Sequence, residues 1–184
     1  MSKVAIKGAD TGTGVFTLES PATNTNRTLV LPDEAGTVLT TATPGVPVNG
    51  PAFSCLMASD QTIAGGVFTK VQFNLKEFDT NTNFDAVTNY RFTPTVSGYY
   101  QCNGSVYPST TVSSVQAVIY KNGSMFKRGF STSTNGMAQV SVLIYMNGTT
   151  DYIELYTYIG GTTPTISNND SLTWFQAALV RSAT

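Results

Sequence analysis

The stretch FNLKEFDTNTNFDAVTNYRFTPTVSGYYQCNG, residues 73–104, sets the architecture. Phe73, Phe84, Phe92 and Tyr100 stand at wide intervals in it, with Asp79 between the first two and polar Thr, Asn and Ser filling the gaps. The spacing matches neither a helical face nor an active-site loop. It reads as short strands that each drop one large side chain into a common core. Pro94 and Ser97 precede Gly98, so Thr95 to Gly98 is expected to turn the chain into a strand starting at Tyr99.

The same grammar continues on both sides. Phe53–Met57 and Val67–Phe73 read as strands around a polar bend at 59–66, and Tyr99–Val106 and Val115–Tyr120 alternate well. Lys121-Asn122-Gly123 is a hairpin turn of the Asn-Gly kind leading into Met125–Phe130. A bend at STSTNG precedes Ala138–Tyr145. The run MNGTTD offers a second Asn-Gly turn into Tyr152–Tyr158. Ser171–Val180 is apolar on both faces, which places it at a sheet centre or an interface. Upstream, TATPGVPVNGP at 41–51 is a Pro/Gly linker. It separates a head, 52–184, from an arm, 1–40. In the arm, 3–7, 15–20 and 27–32 alternate, but such a hairpin buries little alone.

Composition bounds the function. The chain has 184 residues, 41% hydrophobic and only 11% charged, with a net charge of −1. Many short strands with polar outer faces suit it better than charge-laced helices, so the expected class is all-β. Neither a nucleic-acid patch nor a polybasic membrane anchor is supported, and no apolar run is long enough to span a bilayer. MSKVAIKGAD lacks an apolar signal core, so the protein is expected to start near Met1. Histidine is absent, which removes the commonest general base. Carboxylate pairs such as Asp33 with Glu34, Glu77 with Asp79, or Asp79 with Asp85 read as turn residues, and no enzymatic activity is expected. Cys55 and Cys102 are expected to be buried packing thiols.

Phe-x5-Asp-x4-Phe followed by Phe-x5-Gly-x-Tyr, here Phe73, Asp79, Phe84, Phe92, Gly98 and Tyr100, resembles the C1q family signature. The departures are one extra residue between Phe84 and Phe92, Cys102 in place of Phe, and Gly104 in place of an aromatic. FSCLM and SLTWFQAALV resemble the family's first and last strands. The resemblance implies an antiparallel jelly-roll sandwich that forms a homotrimer around those strands. Phe53, Leu56, Trp174, Phe175 and Leu179 are then the expected contacts between copies. Some C1q-like heads hold calcium, for which Asp79, Asp85 and Asp170 are the candidates, weighed against ordinary solvated loop acids. Tyr107, Tyr156 and Tyr158 are candidates for stacking on a sugar, weighed against core or interface roles.

Residues Phe16 to Thr37, FTLESPATNTNRTLVLPDEAGT, are similar to a short module of bacteriophage tail-fibre and other virion proteins. That resemblance implies a structural protein on the outer surface of a phage particle, either a short fibre or a capsid decoration protein. Leu29 and Leu31 are the expected docking residues toward capsid or tail proteins. The head would face outward, where a host-surface glycan or protein is its expected partner. A secreted lectin-like C1q module is the alternative.

Overall fold

The computed structural model describes residues 50–132 and 136–183, with isolated positions between 11 and 26. The expected arm strands, the docking residues Leu29 and Leu31, and the linker up to residue 49 lie outside the described residues. The chain divides into two units, Met1–Val38 and Leu39–Thr184, and the described strands belong to the second.

This second unit is all β. The strands are β1 (Ala52–Leu56), β2 (Gln61–Thr62), β3 (Phe68–Lys70), β4 (Leu75–Asp79), β5 (Phe84–Asp85), β6 (Arg91–Phe92), β7 (Gly98–Val106), β8 (Ser114–Lys121), β9 (Ser124–Thr132), β10 (Ala138–Met146), β11 (Ile153–Gly160), β12 (Thr165–Ile166) and β13 (Trp174–Ser182). One sheet runs β10-β7-β13-β1-β4. The other runs β5-β6-β11-β8-β9, with β3 sharing the β6 edge of β11, and β12 pairs with β2 in a small ribbon. These pairings are antiparallel, and the sheets face each other as a jelly-roll sandwich. β13 is central in its sheet, between β7 and β1, and of its two apolar faces one is buried, with Phe175 and Ala177 in the core, while Ala178 and Val180 on the other are exposed.

The core is where residues 73–104 place it. Phe73, Phe84, Phe92 and Tyr100 are all buried. Phe53 from β1 lies 4.7 Å from Phe84, 4.6 Å from Phe92 and 5.0 Å from Phe175, ring centre to ring centre, so one aromatic cluster joins both sheets. Each such ring contributes roughly 1.5–3 kcal/mol by burial. Asp79 is the clamp beside this cluster. Its carboxylate accepts the N–H groups of Asn83 (2.9 Å) and Phe84 (3.0 Å) and pairs with Lys76 at 2.7 Å, fixing the turn that delivers Phe84.

The two positions at which the signature is broken both pack. Cys102 is fully buried, and a Cβ at Gly104 would stand 2.7 Å from Leu155 Cδ1. Leu155 of the opposite sheet therefore occupies the space that an aromatic at 104 would take. The extra residue before Phe92 falls in the loop 86–90, where Asp85 accepts N–H groups from Val87, Thr88 and Asn89 and Tyr90 adopts φ 50°.

Asn122 and Gly123 both take positive φ, 52° and 76°, as the tight β8–β9 hairpin requires. The second expected Asn-Gly hairpin is a different object. Asn147 and Gly148 leave β10 in one sheet and reach β11 in the other. Asn147 Oδ1 accepts the N–H groups of Thr149, Thr150 and Asp151, so the side chain builds a wide crossing rather than a two-residue turn.

Candidate functional site

Phe53 and Phe175, expected between copies, are wholly buried inside their own chain, and Leu56 is 6% exposed. Leu179 packs against the same core. Strand alternation gives the reason for Phe53, Phe175 and Leu179, which sit on the inward face of β1 and β13, whereas Leu56 stands apart from the core cluster, opposite the exposed Leu75 on the other face, the one a neighbouring chain would meet. Trp174, one residue from Phe175 and half-buried, belongs to that other face.

The outward face of the β10-β7-β13-β1-β4 sheet is unusually apolar. Tyr99, Leu143, Tyr145 and Val180 are 44%, 57%, 45% and 63% exposed and line a shallow depression of about 650 Å³ with Arg181, Ser182 and Ala183. The Tyr99 and Tyr145 ring centres are 5.6 Å apart. Next along the sheet lies a polar knot. Gln101 Nε2 donates to Asn103 Oδ1 (3.1 Å) and Ser141 Oγ (3.0 Å), and Ser141 Oγ donates to Asn103 Oδ1 (2.8 Å). Beyond it Phe78 borders a second hollow of about 240 Å³ with Ala52, Gln176 and Ala178. Lys121 pairs with Asp151 at 2.8 Å, donates to the Tyr145 carbonyl and holds its ammonium 5.7 Å from the centre of the Tyr145 ring. The sequence contained this surface in Tyr99, Leu143, Tyr145 and Val180, each alternating with a core residue. What it lacked was any mark of which strands would lie side by side.

The calcium candidates are not brought together. Asp79 and Asp85 are engaged with separate backbone turns, and Asp170 lies in the loop before β13. Among the described residues no group of three His, Cys, Asp or Glu side chains could hold a metal ion. Backbone N–H groups of Thr88 and Val87 hold the Asp85 carboxyl well below the usual carboxylate range. Burial alone would raise Asp151, but Lys121, Asn122 and the Asn147 N–H outweigh it and bring it down. Glu77, offered with Asp79 as a carboxylate pair, accepts the Ser54 hydroxyl at 2.6 Å. Asp33 and Glu34 lie outside the described residues.

Both cysteines are free and buried. Cys55 is opposite Phe175 on β13 and Cys102 opposite Ala177, so β13 runs between them. Burial pushes the Cys55 thiol up to about 12 and Cys102 higher still, leaving neither available as a thiolate.

Of the tyrosines, Tyr156 and Tyr158 share one face of β11 in the second sheet, while Tyr107 lies past the end of β7. Tyr156 stacks on Tyr120 at 3.9 Å and 19°, and Tyr158 contacts Phe68 at 5.4 Å.

No known family model matches the chain, and no curated protein does. Solved structures do. Murine APRIL aligns with a TM-score of 0.56 at 10% identity, covering 72% of this chain and 100% of that one. Eiger TNF from S. frugiperda gives 0.51 at 5%, covering 77% and 96%. The PRD1 vertex protein P5 gives 0.54 at 18%, covering 72% and 98%. At such identities the likeness concerns the fold: the head is a TNF/C1q-like jelly roll.

Proposed function

We propose that the chain is a non-enzymatic structural protein of a bacteriophage particle, a homotrimeric short fibre or capsid decoration protein. It is held on the outer surface of the particle by its N-terminal residues, with the jelly-roll head outward for contact with the host surface. One observation carries the assembly. Of the ten exposed large hydrophobics among the described residues, six (Leu75, Phe78, Tyr99, Leu143, Tyr145 and Val180) sit on strands of one sheet. Grouping of this kind marks a surface that another chain covers. Closed rotational symmetry covers it without leaving open-ended pairing, and the family resemblance supplies the number three. The interface residues are thus the outward members of the expected first and last strands, with Leu143 and Tyr145 added from β10.

The virion setting rests on the Phe16–Thr37 module, and a vertex protein of the phage PRD1 sharing the head's fold is in keeping with it. Sedimentation velocity of the full chain should give a trimer. Immunogold labelling of purified particles should then place the head on the capsid or on the tail. A stable monomer at micromolar concentration would falsify the assembly, and unlabelled particles would remove the virion setting.

A further inference from the structure

The second sheet, β5-β6-β11-β8-β9 with β3, turns its own outer face away from the surface just described. Its pairing puts Lys70, Tyr156, Val118 and Arg128 in one row across four strands. The solvent face of an antiparallel sheet is ordinarily small and polar. Here Val118 is completely buried yet stands apart from the core cluster, and Glu154, on the same strand face as Tyr156, is 3% exposed and paired with Lys70. A layer of tyrosines covers both. Tyr120 stacks on Tyr156, and the Arg91 guanidinium lies 4.3 Å from the centre of the Tyr152 ring.

Charge is distributed unevenly over this layer. The acids are satisfied: Lys70 meets Glu154, Lys121 meets Asp151, and Asp85 is taken up by backbone N–H groups. Neither Arg91 nor Arg128 forms an ion pair among the described residues: Arg91 stands directly across from Asp85, whose oxygens accept the 87–89 N–H groups, and Arg128 donates to Gln116 at 3.1 Å. They stand on β6 and β9, three strand spacings apart, about 14 Å across the strands. Guanidinium groups bind carboxylates bidentately, and half-buried aromatic rings offer an apolar face with a polar edge.

We propose that this outer face binds an acidic polysaccharide of the uronic-acid class. The Tyr120 and Tyr156 rings close one face of each other and the Lys70 ammonium lies over the Tyr156 ring, so the pair meets a sugar ring through its free edges, and Arg91 and Arg128 pair with carboxylates on flanking units. The proposal rests on the adhesion half of the reading above and gives it a site and a ligand class.

The test titrates the full chain with polygalacturonate by calorimetry, with dextran of matched length as the neutral control, while sedimentation of the same samples reports oligomeric state. Binding to polygalacturonate and none to dextran is expected. Arg91→Gln with Arg128→Gln should weaken it at least tenfold with melting and sedimentation unchanged. Tyr156→Ala should weaken it similarly and Tyr156→Phe should restore it. Should Tyr156→Ala fail to fold, the arginine pair, on the surface, still decides. Equal affinity for dextran, no binding at all, or binding indifferent to Tyr156→Ala in a folded variant overturns the proposal, the last because it would be ion exchange alone. Higher assembly of the free protein that the arginine changes abolish would make the face a contact between copies and overturn it as well. A monomer that binds would sink the trimer and leave this site standing.

Discussion

Gly104 and Asp85 show how far single residues determine this head. Leu155 fills the space beside Gly104, so Gly104→Ala should destabilise the head by about 1–3 kcal/mol through overpacking, read as a lower midpoint in denaturant. Asp85 has a folded pKa below its ordinary value, held there by the Thr88 and Val87 N–H groups. A depressed carboxylate contributes stability that is present above its unfolded pKa and lost as pH falls through the folded one. The head should therefore lose stability below about pH 4, and Asp85→Asn should flatten that acid limb. A limb of unchanged slope in the variant would show that other carboxylates carry it. Among single residues the sequence was informative wherever a residue type admits one environment. Phe73, Phe84, Phe92 and Tyr100 are large and apolar, and all went inside. Phe53 and Phe175 were equally legible as apolar, but period-two alternation separates two faces without saying which of them meets the chain's own core.

Elements were readable in proportion to their length. β7, β8, β10 and β13 run for eight or nine residues and alternate, whereas β2, β5, β6 and β12 hold two residues each and have no period to detect. Turn chemistry divides in the same way. Asn-Gly at 122–123 closes a hairpin because the strands on either side pair with each other. The same dipeptide at 147–148 joins strands of different sheets, and local sequence does not contain that partner choice. Asn147→Ala removes the acceptor for three N–H groups in that crossing and should cost about 1–3 kcal/mol, measured by thermal melting, without altering the β8–β9 hairpin. The thiols of β1 and β7 make a complementary case. Cys55→Ala with Cys102→Ala should cost about 1–3 kcal/mol in total as core volume is lost, and reductant should leave the wild-type melt unmoved. A reductant-sensitive melt would mean a disulfide that this arrangement excludes within one chain, because β13 separates Cys55 from Cys102 by two strand spacings.

For the whole molecule, the two sheets bury one core and differ in what their outer faces present. One shows apolar side chains around an amide knot, the other a tyrosine layer edged by arginines. The two faces thus suit different kinds of partner, and self-association can be broken without touching the core. Leu143 and Tyr145 alternate along β10 with the buried Ile144 and Met146, so changing them leaves the inward face intact. Leu143→Asp with Tyr145→Asp would place two carboxylates in the depression beside Tyr99 and Val180. In a trimer those charges would be desolvated at every contact, where Arg181 alone among the lining residues could answer them. The variant should therefore sediment as a monomer while retaining a cooperative melt and the β-rich circular dichroism of the parent. Reversing Arg128, on the other sheet, should leave the trimer unchanged. If the double aspartate variant sediments like the parent, the copies meet through some other surface and the apolar face of β10, β7 and β13 must be covered by a different partner.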